Sequence, residues 1–210
     1  MRIRSAIIRL FCVMFAVFIA AEAGAQKKKG EPSVAPDMHT ATKAENLSFP
    51  AVPEKQHKFI SDYMLREAQA IVKQGYKVET ERHGEVIVVT IPASSLFMPN
   101  STELEVSGHK LLDPFTAYLK TEGRFKVLVA MHSDDTGSPS YLEKLTGERL
   151  KAIMSYLEKH SEHPEQVAGY ALSDKEPVRP NSNIANRAQN RRLEIYIVPD
   201  EELIKQAVKR

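Results

Sequence analysis

The stretch from Val127 to Arg149, VLVAMHSDDTGSPSYLEKLTGER, admits few folds. Lys126 to Met131 is a short apolar run that reads as a buried strand. It breaks into the polar run His132-Ser133-Asp134-Asp135-Thr136-Gly137, and Ser138-Pro139 follows. A helix is expected from about Ser140 to His160, with Leu142, Leu145, Ile153, Tyr156 and Leu157 on its apolar stripe. Arg149 stands on that stripe, four residues after Leu145 and four before Ile153. A guanidinium there needs a partner or a polar pocket, because an unpaired buried charge is very costly. Two readings stay open: a structural ion pair or a stem that reaches water, and one half of a binding site.

The acid side of such a site is close in sequence. Asp134 and Asp135 leave the strand end beside the amides of Thr136, Gly137 and the helix start. A carboxylate, a guanidinium and free N–H groups in one cleft make a receptor for a zwitterion. The aspartate holds an ammonium, the arginine holds a carboxylate in a two-pronged grip, and helix N-terminal amides support the same carboxylate. A metal site is the competing enzymatic reading, since His132, Asp134 and Asp135 are all ligand types. Successive strand residues point to alternate sides, however, and the other histidines are scattered. No serine lies in a nucleophile-elbow context. Neither a metal, a cofactor nor an enzymatic activity is expected.

The remaining chain supplies layers for this centre. Glu54 to Gln74 carries an apolar stripe of Ile60, Met64, Ala68, Ile71 and Val72, and Gly75 stops that helix. Tyr76 to Thr80 alternates, His83-Gly84 offers a turn, and Glu85 to Ile91 is a β-branched strand ended by Pro92. A helix is expected from Ser101 or Thr102 to Lys120 with Ser101 at its N-cap, either kinked by Pro114 or divided into two shorter helices that meet near Asp113. Gln166 to Leu172 and Arg191 to Val198 read as further strands, separated by a polar loop and a short helix from Ile184 to Gln189. The Arg191-Arg192 pair at the strand start offers a basic rim for a ligand; exposed strand ends or local ion pairs are the competing reading, and most of Arg187, Arg191 and Arg192 are read as structural. A helix from Asp200 to Arg210 ends the chain. The fold class is α/β, an α+β sandwich: a mixed βαβαβ(α)β sheet with helices packed on it, preceded by a helix and a β-hairpin. If the strands ending at Ile91 and Met131 share a sheet, they run parallel and their C-terminal ends open on one edge, with Asn100 nearby.

Residues 1–25 read as a secretory signal: Arg2, Arg4 and Arg9, an apolar run from Phe11 to Ala21, and Ala23-Gly24-Ala25 before a cleavage at Gln26. The rival reading, a membrane anchor, requires ~20 apolar residues, about twice this run. The single cysteine, Cys12, lies inside the signal, so the processed chain has no thiol chemistry. Residues 26–53, with Lys27-Lys28-Lys29 and four prolines, form a linker too poor in apolar residues to build a core. The further boundaries are 54–84 for the helix and first hairpin strand, 85–200 for the main domain and 201–210 for the last helix. A net charge of +2 points to neither nucleic acid nor an anionic membrane as partner.

Three motifs carry a resemblance. Met131-His132-Ser133-Asp134-Asp135-Thr136-Gly137 is similar to G-H-T-D-x-x-G. Tyr141-Leu142-Glu143-Lys144-Leu145-Thr146-Gly147-Glu148-Arg149-Leu150 is similar to Y-N-x-x-L-S-x-x-R-A. Asn190-Arg191-Arg192-Leu193-Glu194-Ile195 is similar to N-R-R-V-E-I. With Phe97-Met98-Pro99-Asn100-Ser101 upstream, the segment from about Val86 to Val198 resembles the OmpA-like C-terminal domain, the peptidoglycan-associating module of outer-membrane protein A and related lipoproteins. The resemblance implies a periplasmic protein, outer-membrane-associated or held by envelope partners, that binds the diaminopimelate stem peptide of peptidoglycan non-covalently. Asp134 and Arg149 stand at the positions that hold the zwitterion, and Asn100 at a pocket-lining position; Thr136 and Gly137 complete the expected site. The alternative is the same fold used as a protein-interaction module without peptidoglycan binding. Leu142 replaces a ligand-binding asparagine of the family, Ala130-Met131 the glycine before the histidine, and Leu150 a small residue after the arginine.

Overall fold

The computed structural model describes residues 52–208. The expected signal and nearly all of the expected linker lie outside the described residues.

The chain order is α1 (His57–Lys73), β1 (Lys77–Glu81), β2 (Val86–Pro92), α2 (Val106–Thr116), β3 (Phe125–His132), α3 (Pro139–Lys159), β4 (Val167–Ser173), α4 (Ile184–Asn190), β5 (Arg192–Pro199) and α5 (Glu201–Val208). Five strands make one mixed sheet in the order β1-β2-β5-β3-β4. The α/β class expected from the sequence is the observed one. Strands β2 and β3 do run parallel, but they are not neighbours. β5 lies between them and pairs antiparallel with both, Val89 and Val129 each opposite Ile195. β4 pairs parallel with β3 on the far side.

The two-residue side-chain period divides the sheet. One face carries Ile87, Val89, Ile91, Val127, Val129, Met131, Leu193, Ile195 and Ile197, all in the main core with the apolar stripes of α1, α2 and α3. Val88, Leu128 and Tyr196 share the other face. There Glu194 forms a buried network: Arg192 Nε donates to it at 2.8 Å, Tyr196 Oη donates at 2.6 Å, and His132 Nε2 lies at 3.5 Å. Burial pushes the Glu194 carboxyl up, but His132, Arg192 and Tyr196 outweigh that and hold it well below the usual carboxylate range.

Three local expectations need correction. The helix expected from Ser101 begins only at Val106, since Phe97 bridges Leu104 and Glu105 N donates to Leu96 O at 2.9 Å. Ser101 caps a turn instead, its Oγ accepting from Glu103 N at 3.1 Å. The division into two helices near Asp113 does not occur: one helix runs past Pro114 to Thr116 and tightens into a 3-10 turn at Ala117–Leu119. The β1–β2 connection is longer than a two-residue turn, with Arg82, His83 and Gly84 at positive φ of 49°, 57° and 92°. Leu150, the large residue after Arg149, is accommodated by Gly169 on β4: a Cβ there would lie 3.0 Å from Leu150 Cδ1 and 2.9 Å from Met154 Sδ.

Gly108 lets α2 press on the connector after β2. A Cβ there would meet Leu104 Cδ1 at 2.9 Å and the Leu96 backbone oxygen at 3.1 Å. Gly108→Ala gains about 1 kcal/mol in helix propensity but forces rigid backbone apart, which costs ~1–3 kcal/mol. Urea denaturation is expected to show a net loss of stability; a gain shows that the contact yields. A second prediction concerns acid. The folded Glu194 pKa lies below its ordinary 4.5. Its contribution is therefore complete above that pH and drains away as pH falls below it. The unfolding midpoint of the parent chain should drop faster between pH 5 and 3 than that of Glu194→Gln.

Candidate functional site

The shared sheet edge is where the polar groups collect. β2 ends at Pro92, and Ala93 N donates to Arg191 O at 3.0 Å, which lays the connector from Ala93 to Asn100 beside the start of β5. β3 ends at His132, and Ser133 N donates to Ser173 O at 2.7 Å. The chain then turns through Asp134, whose Oδ1 accepts from Thr136 N at 2.9 Å. Ser138 caps α3 by accepting from Tyr141 N at 3.3 Å, and Pro139 occupies its first turn.

Between these segments lies a cavity of about 380 Å³. Phe97, Met98, Pro99 and Asn100 wall one side. Ser133, Asp134 and Thr136 form the strand-end side. Tyr141, Leu142, Leu145 and Arg149 come from α3, and Arg191 closes the ring. Of the residues expected from the sequence, Asp134, Arg149, Asn100 and Thr136 line this one cavity. Gly137 is not on its wall. At φ +137° it makes room for Tyr141, since a Cβ there would come within 2.9 Å of the Tyr141 ring.

Arg149 is 6% exposed. Its Nε donates to Ser101 O at 2.8 Å and its Nη2 to Met98 O at 3.3 Å, and the guanidinium stands 4.9 Å from the Phe97 ring centroid. These partners orient the group without neutralising it. Burial, and to a lesser degree Arg191, pull its pKa down, with Tyr141 acting the other way. Asp134, 4% exposed, is ion-paired to Arg191 Nη1. Two guanidiniums and one carboxylate give the cavity wall a formal charge of +1. Asn100 adopts φ 58°, a left-handed conformation asparagine tolerates, and its Oδ1 accepts from Tyr141 Oη at 3.1 Å.

Arg191 is the cavity residue that reading the sequence as structural charge missed. The available signal was the Arg191-Arg192 pair at a strand start: adjacent residues diverge, so one guanidinium joins Glu194 and the other reaches Asp134. The same alternation separates the three candidate metal ligands. His132 turns to Glu194, Asp134 enters the cavity and Asp135 is exposed. Among the described residues no group of three or more His, Cys, Asp or Glu is placed to hold a metal ion. No described helix is long and apolar enough to cross a membrane.

Residues 96–191 match the model of the OmpA family. The chain is 27% identical over 126 residues to the probable lipoprotein YiaD of Escherichia coli K12, covering 60% of this chain and 58% of that one. It is 29% identical over 99 residues to the peptidoglycan-associated lipoprotein of Pseudomonas aeruginosa, covering 47% and 58%. The chain thus spans little more than half the length of these curated relatives. Among solved structures, a MotB-like protein from Desulfovibrio vulgaris shares the fold at TM-score 0.60 and 19% identity, over 70% of this chain and 96% of that one. The cell wall anchor of the T6SS from Pseudomonas aeruginosa superposes at TM-score 0.53 with 28% identity, over 67% and 97%. The matched segment contains Asp134, Arg149 and Arg191 together with the connector that bears Asn100, and over residues 96–191 the chain carries a domain that matches the OmpA family.

Proposed function

We propose that this chain anchors non-covalently to peptidoglycan in the periplasm, by enclosing the zwitterionic end of a diaminopimelate-type stem peptide. The observation that carries the reading is the Arg149 guanidinium, buried in a cavity wall, whose partners among the described residues are two backbone carbonyls and an aromatic face. An anion is what such a group lacks, and a ligand carboxylate supplies it in a two-pronged geometry. Asp134, on the same cavity, takes the ligand ammonium after releasing Arg191, which then adds to the carboxylate-binding charge. Thr136 and Asn100 give the cavity polar edges, while Phe97, Leu142 and Leu145 contact the aliphatic part of the ligand. Likeness to a peptidoglycan-associated lipoprotein and to a cell wall anchor supports the same reading. Leu142, 3% exposed on the cavity wall, favours a second one. It offers no hydrogen bond where the family has an amide, and a protein-interaction module on this fold would not need one.

Sedimentation with purified sacculi separates the two. The parent chain should co-sediment, and Asp134→Ala and Arg149→Met should each reduce binding at least tenfold. A parent chain that stays in the supernatant establishes the interaction-module reading; retained binding by both variants removes the zwitterion receptor. Stability should move in opposite directions. Arg149→Met replaces an unneutralised buried charge by an apolar group of similar size and is expected to hold or raise stability by about 1 kcal/mol. Asp134→Ala orphans Arg191 and lowers it. Urea titration of both variants measures the contrast.

A further inference from the structure

Another cavity, of about 500 Å³, lies at the opposite end of β3. The first opens beyond His132, where the strand ends; this one is walled by Phe125, where it begins. β3 spans eight residues, so at ~3.3 Å per residue the two cavities stand roughly 23 Å apart. The walls come from two parts of the chain. Glu67 and Ile71 belong to α1, which precedes the segment matched to the OmpA family, whereas Pro114, Tyr118, Arg124 and Phe125 lie inside that segment. Packing of α1 on the domain therefore creates a cavity that the matched segment does not form by itself.

Two opposite charges line this cavity and neither neutralises the other. Tyr118 Oη donates to Glu67 Oε2 at 3.1 Å, and Arg124 Nη2 donates to Tyr63 Oη at 2.9 Å. The Arg124 guanidinium also stands 5.5 Å from the Tyr63 ring centroid and 5.8 Å from that of Phe125. Among the described residues neither Glu67 nor Arg124 has an ion-pair partner. Burial, and after it the Glu67 carboxylate, raise the Tyr118 pKa, so the phenol keeps its proton and remains a donor. Both charged groups are half-buried and oriented by neutral phenols. A carboxylate has more lone pairs, and a guanidinium more N–H groups, than one phenol engages. Ile71, Pro114 and Phe125 make the rest of the wall apolar. The volume falls in the range of small-ligand sites, ~300–1,000 Å³.

We infer that this cavity is a second binding site, for a short zwitterionic peptide of apolar side chains. Its ammonium meets Glu67, its carboxylate meets Arg124, and its side chains pack on Ile71 and Phe125. Glu67 and Arg124 do not touch, so the ligand's charges must also stand apart; a dipeptide adds about 3.3 Å between its ends over a single amino acid. The site uses neither Asp134 nor Arg149 and stands independently of peptidoglycan binding.

Saturation-transfer NMR of the parent chain with alanyl-leucine tests the inference. Binding with a Kd of about 1 mM or tighter is expected. N-acetylation of the dipeptide, amidation of its C-terminus, Glu67→Gln and Arg124→Met should each weaken binding about tenfold. Glu67→Gln keeps an oxygen for Tyr118 and so leaves the local fold intact. Ala70→Trp, at an exposed position on the cavity wall, should block the site without removing either charge. Arg149→Met should bind the dipeptide as the parent does. Absence of saturation transfer to alanyl-leucine overturns the inference. Binding that Glu67→Gln, Arg124→Met and Ala70→Trp all leave intact also overturns it, as does loss of binding in Arg149→Met, which assigns the dipeptide to the first cavity.

Discussion

Strand β5 lies between two strands that run parallel to each other, and its antiparallel pairing with both is the constraint from which the cavity follows. Because β2 and β3 point the same way, their C-terminal ends and the first residue of β5 meet at one sheet edge. The connector after β2, the loop after β3 and Arg191 are therefore neighbours although 91 residues separate Asn100 from Arg191. The insertion of β5 also sets the width of the gap. With one strand between them, the two loops stand about two strand spacings apart, near 10 Å, which leaves room for a small ligand and for the first turns of α3 as its wall.

Within that gap, electrostatics and packing work against each other. Arg149 lies on the apolar stripe of α3, where an aliphatic side chain would pack without penalty. The carbonyls of Ser101 and Met98 and the Phe97 face hold it in place, yet no carboxylate among the described contacts neutralises it. Asp134, the nearest candidate in the cavity, is engaged by Arg191. A protein that retains an unmatched buried cation beside a cavity accepts a cost in stability that a bound anion offsets.

The other half of the molecule depends on a separate set of charges. Glu194, Arg192, His132 and Tyr196 occupy the face opposite the helices, and Arg192 Nη2 donates to Glu176 O at 3.2 Å, which ties the long loop after β4 to the sheet. Asn190, fully buried, accepts from Val178 N and Arg179 N and donates to Arg179 O, holding the same loop against α4. Arg191 sits between Asn190 and Arg192, so the rigidity of this network fixes where its guanidinium can reach.

How much of this was legible differs by residue. The β-branched run of Val86 to Ile91 and the alternation of Leu193 to Ile197 are properties of consecutive residues, and they show directly as strands, buried on both faces of the sheet. A charge on a stripe is equally local, which is why Arg149 stood out before any fold was known, and why Asp134 beside helix-start amides could be named with it. The start of α2 was not legible: Ser101 is a good cap by type, but the pairing of Phe97 with Leu104 keeps those residues extended. The order of the strands was not legible either, because two parallel strands satisfy the same pattern whether adjacent or separated. Arg191 shows the limit most clearly. Its residue type and neighbours suit an exposed strand end, and only the placement of β5 beside β3 brings it to an aspartate 57 residues away. The sequence by itself determined the elements, the buried faces and two of the three charges, since each depends on spacing along the chain. Tertiary structure alone decided which charges meet, since that depends on distances across the sheet.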